Sequence, residues 1–231
     1  MYLNRYLEIG TYIIKIVRVI GLNTKLIMSA DPGKENFSIA VQKLEDEFPS
    51  IIYVELLDCT ITELRENAKP PFIDQMNAFS TYISKILDEY KPVEVTMERF
   101  QMRFRTPGAT AEVVNVMIGI ACLLCLQRNI PVKLVIAGEW KNHFNRYSDI
   151  PLNDLYKSVK RLPPHVIDSA MIGLYYSMKN NDFYKKEKLI SYCEKLKVKY
   201  DESIKEKRVQ RASSNELPEV KGKSKSAGPK K

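Results

Sequence analysis

A chain of 231 residues that is 45% apolar can bury a substantial core, and its length suits one large domain or one domain with appendages. Its formal net charge of +8 and pI near 9.1 point to a polyanionic partner, but the excess is uneven. Residues 205–231 hold nine Lys/Arg against three Glu, which is +6 of the +8, so the body is close to neutral. The four cysteines, at 59, 122, 125 and 193, make no secreted disulfide framework. Cys122 and Cys125 fall in an apolar helical run without the second ligand pair a zinc site needs. They read as reduced packing residues of an intracellular, cytoplasmic protein. No run reaches the roughly 18 consecutive apolar residues of a membrane span.

The N-terminal run 12–22 is interrupted by Lys15 and Arg18 and has no small-residue cleavage site. Residues 1–23 are therefore set apart as an extension of open role: an added strand, an organelle-targeting segment, or residues upstream of the start, since Met28 is close to the first core strand. Strands are expected at 24–30, 36–44 and 50–58, separated by Asp31-Pro32-Gly33 and by a turn signal over 46–50. Residues 60–71 are polar, end in Pro70-Pro71 and read as a loop. Apolar residues at 72, 73, 76, 79, 82, 83, 86 and 87 carry helical spacing up to the stop at Lys91-Pro92. Residues 93–98 form a short strand, and Thr106-Pro107-Gly108 opens a long, largely buried helix to about 128. A fifth strand follows at 130–136, then helical pieces at 138–146, 152–161, 164–179 and 182–199. The segment beyond about 205 is rich in Lys, Ser, Gly and Pro and reads as disordered, so the domain is taken as 24–200 and the basic tail as 201–231. The order β-β-β-α-β-α-β-α predicts an α/β fold, a five-stranded mixed sheet with helices on both faces.

Two strands end in carboxylates, Asp31 and Glu98. If those strands are adjacent and parallel, both acids emerge at one sheet edge, where open α/β sheets place their sites. His165 and Asp168, at i and i+3 behind Pro163-Pro164, share one face of a helix start. Phosphodiester cleavage at neutral pH needs an activated water and a neutralised leaving oxygen, and two divalent ions about 4 Å apart supply both. Three carboxylates and one imidazole suit Mg²⁺. Taken singly, Asp31 is a turn former, Glu98 with Arg99 a surface ion pair, and His165 with Asp168 a helix cap. Their joint placement at element ends is what raises them above those readings.

With Phe100 after the second acid, the long helix, and Lys141 after the fifth strand, the whole resembles the RuvC-type Holliday junction resolvases of the RNase H-like superfamily, in a divergent phage- or virus-like form. The resemblance spans about residues 24–180. It implies an RNase H-like fold and a Mg²⁺-dependent endonuclease with two ions per site, Mn²⁺ being able to substitute. Asp31, Glu98 and Asp168 would be metal-binding catalytic acids, and His165 a fourth ligand or the group that activates water. Phe100 would probe the junction centre, with Met102 or Phe104 as alternatives, and Lys141 would contact phosphate. The implied substrate is branched, four-way DNA, cut by a homodimer formed through helix 106–128.

Arg99, Arg103 and Arg105 interleave with Phe100, Met102 and Phe104, an alternation of cations and stacking groups that suits a DNA strand. Lys157 and Lys160 read equally as phosphate contacts or a solvated helix face, Trp140 as packing, and His143 as surface or structural. Two rivals stay open. One keeps the fold and metals for flaps, forks or RNA–DNA hybrids; the other is a non-catalytic nucleic-acid-binding protein that works through its basic tail.

Overall fold

Alternating burial builds the sheet. In the computed structural model, which describes residues 25–33, 36–45, 48–58, 72–101, 108–178 and 184–214, the strands are β1 (Leu26–Asp31), β2 (Asn36–Lys43), β3 (Ser50–Asp58), β4 (Glu94–Arg99) and β5 (Val132–Ile136). Six described helices are interspersed: α1 (Phe72–Tyr90), α2 (Gly108–Gln127), α3 (Ala137–Tyr147), α4 (Leu152–Ser158), α5 (Pro164–Met178) and α6 (Lys186–Ser214). The strand order is β3-β2-β1-β4-β5. The three-strand meander is antiparallel, whereas β4 pairs in parallel with both β1 and β5, so the sheet is mixed as expected. The expected five-stranded mixed sheet with helices on both faces therefore holds.

One face of the sheet is oily and the other unusually polar. Met28, Ala30, Phe37, Ile39, Val41, Val95 and Met97 pack with α1 and α2. Their alternates Ser29, Ser38, Gln42 and Thr96 are fully buried on the opposite face, beneath α5. There Gln42 donates to the Ala170 carbonyl at 2.9 Å and to Ser29 Oγ at 3.2 Å, and Ser38 bonds Ser169 at 2.9 Å. A Cβ on Gly173 would stand 2.2 Å from Gln42 Nε2 and 2.6 Å from Ser29 Oγ. Only glycine allows that approach of helix to sheet.

The elements follow their expected places within a few residues, with one larger departure. The last helix runs to Ser214, beyond the boundary at 200 and through the start of the segment read as disordered. Ser203 is buried, and the Lys207 ammonium sits on the Glu55 carboxylate and on the Leu56 carbonyl at 3.1 Å. The sequence missed this because Lys207 finds its partner on β3, about 150 positions away. Residues 1–23 and 215–231 lie outside the described residues.

Glu55 is nearly buried, so removing its cation strands a charge. Lys207→Ala is expected to lower unfolding free energy by about 1–3 kcal/mol, reduced from a fully buried pair because Lys207 is partly solvated. Urea unfolding checks it, and an unchanged midpoint would show that α6 is not anchored there.

Candidate active site

The parallel pairing of β1 with β4 fixes the first two acids. Register runs Ile27 to Glu94 through Ala30 to Met97, so Asp31 and Glu98 follow side by side at the same edge. Both alternate onto the polar face. Asp31 lies between Ala30, buried against the α1 side, and Pro32-Gly33, where a Cβ on Gly33 would stand 2.5 Å from the Asn36 carbonyl oxygen and 3.8 Å from the His165 ring. The Pro-Gly turn thus leaves room for α5 to bring its first turn over Asp31.

Four protein donors hold the acids. His165 Nδ1 lies 2.6 Å from Asp31 Oδ2. Trp140 Nε1 donates to Glu98 Oε2 at 2.8 Å. Lys141 Nζ meets Asp168 Oδ2 at 3.0 Å, and the Tyr156 hydroxyl donates to Asp168 Oδ1. Among the described residues, the protein engages one carboxylate oxygen each of Asp31 and Glu98 but both of Asp168.

Burial and mutual repulsion tune this cluster. Desolvation pushes Glu98 up, Trp140 and Lys141 pull it back, and the charges of Asp31 and Asp168 push it further up. Burial likewise raises Asp168 against the pull of Tyr156 and Lys141, with Asp31 adding to the rise. The hydrogen bond to Asp31 raises His165 despite its desolvation, and the Asp168 charge adds to it. Tyr156 is pushed up by burial and by the fields of all three acids. The three carboxylates therefore share one electrostatic neighbourhood.

Of the four candidates, Asp31 and His165 are in direct contact, and Glu98 and Asp168 lie within the field of Asp31. Lys141 joins them, on Asp168. Arg99 and Lys160 are exposed, Phe100 is half-buried at the end of β4, and Lys157 is tied to Asp154 at 3.0 Å on a solvated surface. Arg103 and Arg105, with Met102 and Phe104, lie outside the described residues. Sequence reasoning took Trp140 for packing alone; it is fully buried, and its indole N–H also holds Glu98. Tyr156 was missed, since nothing local marks one tyrosine of thirteen. His143 is structural, its ring packed against Tyr147 at 4.7 Å and Tyr175 at 5.0 Å.

Three carboxylates and a neutral imidazole are the donor set a hard divalent cation takes. Burial, with neighbouring acids adding to it, raises Glu98 and Asp168, and a bound cation would favour their ionised forms. Among the described residues no group of three His, Cys, Asp or Glu side chains is close enough to hold an ion. The chemistry of the site suits a metal, and each of its acids accepts from at least one protein donor.

No family model matches the sequence, and none of the curated proteins matches it. The architecture is that of a known class, the RNase H-like fold of the RuvC-type resolvases. The structure of Thermus thermophilus RuvC is similar with a TM-score of 0.54 at 14% identity, over 67% of this chain and 95% of that one. T. thermophilus RuvC in complex with Holliday junction substrate gives 0.54 at 15% identity, over 67% of this chain and 96% of that one.

Each indole or phenol donor favours the ionised form of the acid it touches. Trp140→Phe is expected to move the Glu98 titration to higher pH, and Tyr156→Phe that of Asp168, read from carboxyl ¹³C shifts. Unmoved titrations would mean that these donors do not set the charge of the cluster.

Proposed function

We propose that this chain is a Mg²⁺-dependent endonuclease that resolves four-way DNA junctions by paired nicks. The observation that carries the reading is the meeting of Asp31, Glu98, His165 and Asp168 at one sheet edge. T. thermophilus RuvC, whose fold this chain shares, has been solved with Holliday junction substrate, which favours branched DNA as the substrate.

Asp31, Glu98 and Asp168 would hold the metal, with His165 as a further ligand or the water-activating group. A divalent ion held there would supply Lewis-acid charge at the phosphate and would lower the pKa of a bound water. The protein's own part is orientation. With Nδ1–H donated to Asp31, the neutral His165 ring has its Nε2 lone pair free to bind an ion or take a proton. Trp140 and Tyr156 each fix one carboxylate oxygen, and Arg99, Phe100, Lys157 and Lys160 would contact backbone phosphates and bases. Paired nicks need two sites related by two-fold symmetry. Leu123 and Leu126 on α2, 54% and 71% exposed, offer an apolar face for a homodimer.

Asp31→Asn is expected to lower cleavage on the order of 10³-fold or more while junction binding persists. Four-way, three-way, flap, linear and RNA–DNA hybrid substrates are the test. Robust nicking by the variant would sink the assignment, and wild-type preference for flaps or hybrids would transfer the site to the other substrates.

Cleavage needs Glu98 and Asp168 ionised and His165 neutral. All three pKa values are raised, so each requirement fails on acidification and does so at higher pH than for unperturbed groups. Single-turnover rates are expected to fall on the acid side well above the usual carboxylate range, about 4, and to level off at alkaline pH. Full activity at about pH 4 would contradict this protonation scheme.

A further inference from the structure

Lys141 does something the phosphate-contact role does not require. Its ammonium is bound to Asp168 at 3.0 Å, inside the acid cluster, while lying 4.8 Å above the Trp140 ring. Asp168 is only 13% exposed, and Tyr156 and Lys141 together engage both of its oxygens. Each oxygen keeps a second lone pair, so the hydrogen bonds alone do not keep an ion off Asp168; a charge on one of the donors does oppose it. Tyr156 is a stiff ring with two rotatable bonds, pinned from α4 and largely buried, and it carries no charge that an ion would repel. Lys141 is 37% exposed, stands on a flexible four-carbon stem and carries a positive charge. A divalent ion and an ammonium on the same carboxylate repel at short range through a poorly solvated site. The lysine gives way more readily.

Resting on the metal-site reading above, we propose that Lys141 is a resident counter-cation. It neutralises Asp168 in the metal-free protein and is displaced when a divalent ion binds, which frees its ammonium for the substrate phosphate. The cluster tolerates its buried charge because the lysine stands where a metal would compete with it. Trp140 keeps the released ammonium close: its face attracts the cation while its N–H holds Glu98. Metal loading and the arming of a phosphate contact become one event, and the positive charge on Asp168 is exchanged without leaving the acid bare.

The test is direct Mn²⁺ binding to the full chain, followed by the electron paramagnetic resonance of free Mn²⁺, above the pH range in which Glu98 and Asp168 titrate. Lys141→Met keeps the stem but removes the competing charge, and it is expected to bind Mn²⁺ on the order of tenfold more tightly than wild type. Lys141→Arg, which keeps the charge, is expected to stay near wild type. Equal or weaker binding by Lys141→Met would overturn the counter-cation role. Wild type that binds no Mn²⁺, or binds it as well after Asp31→Asn, would instead overturn the metal-site reading itself. A second measurement needs no altered site: the ¹³Cε resonance of Lys141 in wild type, assigned by its loss in Lys141→Arg. Saturating Mg²⁺ is expected to shift it toward free lysine, and an unmoved resonance would also overturn the counter-cation role.

Discussion

The close approach of α5 to the polar face of the sheet is the constraint on which the site depends. Gly173 lets the helix backbone settle against Ser29 and Gln42, and Gln42 and Ser38 then bond to the helix at Ala170 and Ser169. These contacts lie within a few residues of Asp168 and fix the height of the whole first turn. A bulkier residue at 173 would lift the helix, and with it the two groups that complete the cluster begun by Asp31 and Glu98. Buried hydroxyls and an amide are costly when unpaired, so their pairing across this interface also specifies one register of helix on sheet.

Assembly at that edge creates an electrostatic problem that the neighbouring helices relieve. Glu98 and Asp168, raised by burial and further by the neighbouring acids, would disfavour the fold if left bare. α3 supplies an indole N–H and an ammonium from adjacent residues, α4 a phenol, and α5 its own imidazole. Each donor satisfies an acid in the metal-free state and also sets its orientation. Order in the site and tolerance of its charge thus have the same physical source.

Much of this was legible in the sequence, for reasons that can be named. Strand alternation, the helical spacing over 72–90 and the stops at Lys91-Pro92 and Asp31-Pro32-Gly33 are local signals, and the elements they mark formed as expected. The four candidate residues each stand near the end of an element, so topology alone could place them as neighbours. Trp140 and Tyr156 were not legible, because their partners are 42 and 12 positions away and their own surroundings read as ordinary core and surface. The extension of α6 past residue 200 escaped for the same reason: a lysine-rich helix end reads as solvated until its buried partner, Glu55, is seen. Composition could report the charge of that segment but not the contacts Lys207 makes with β3.

The central claim is that Asp31, Glu98 and Asp168, with His165 beside them, form one divalent-metal centre. Anomalous diffraction from crystals soaked in Mn²⁺ tests it most directly. The account predicts a Mn²⁺ peak bordered by those three carboxylates, with Lys141 withdrawn from Asp168. A map without a peak there, or with Mn²⁺ bound only elsewhere on the chain, would contradict it.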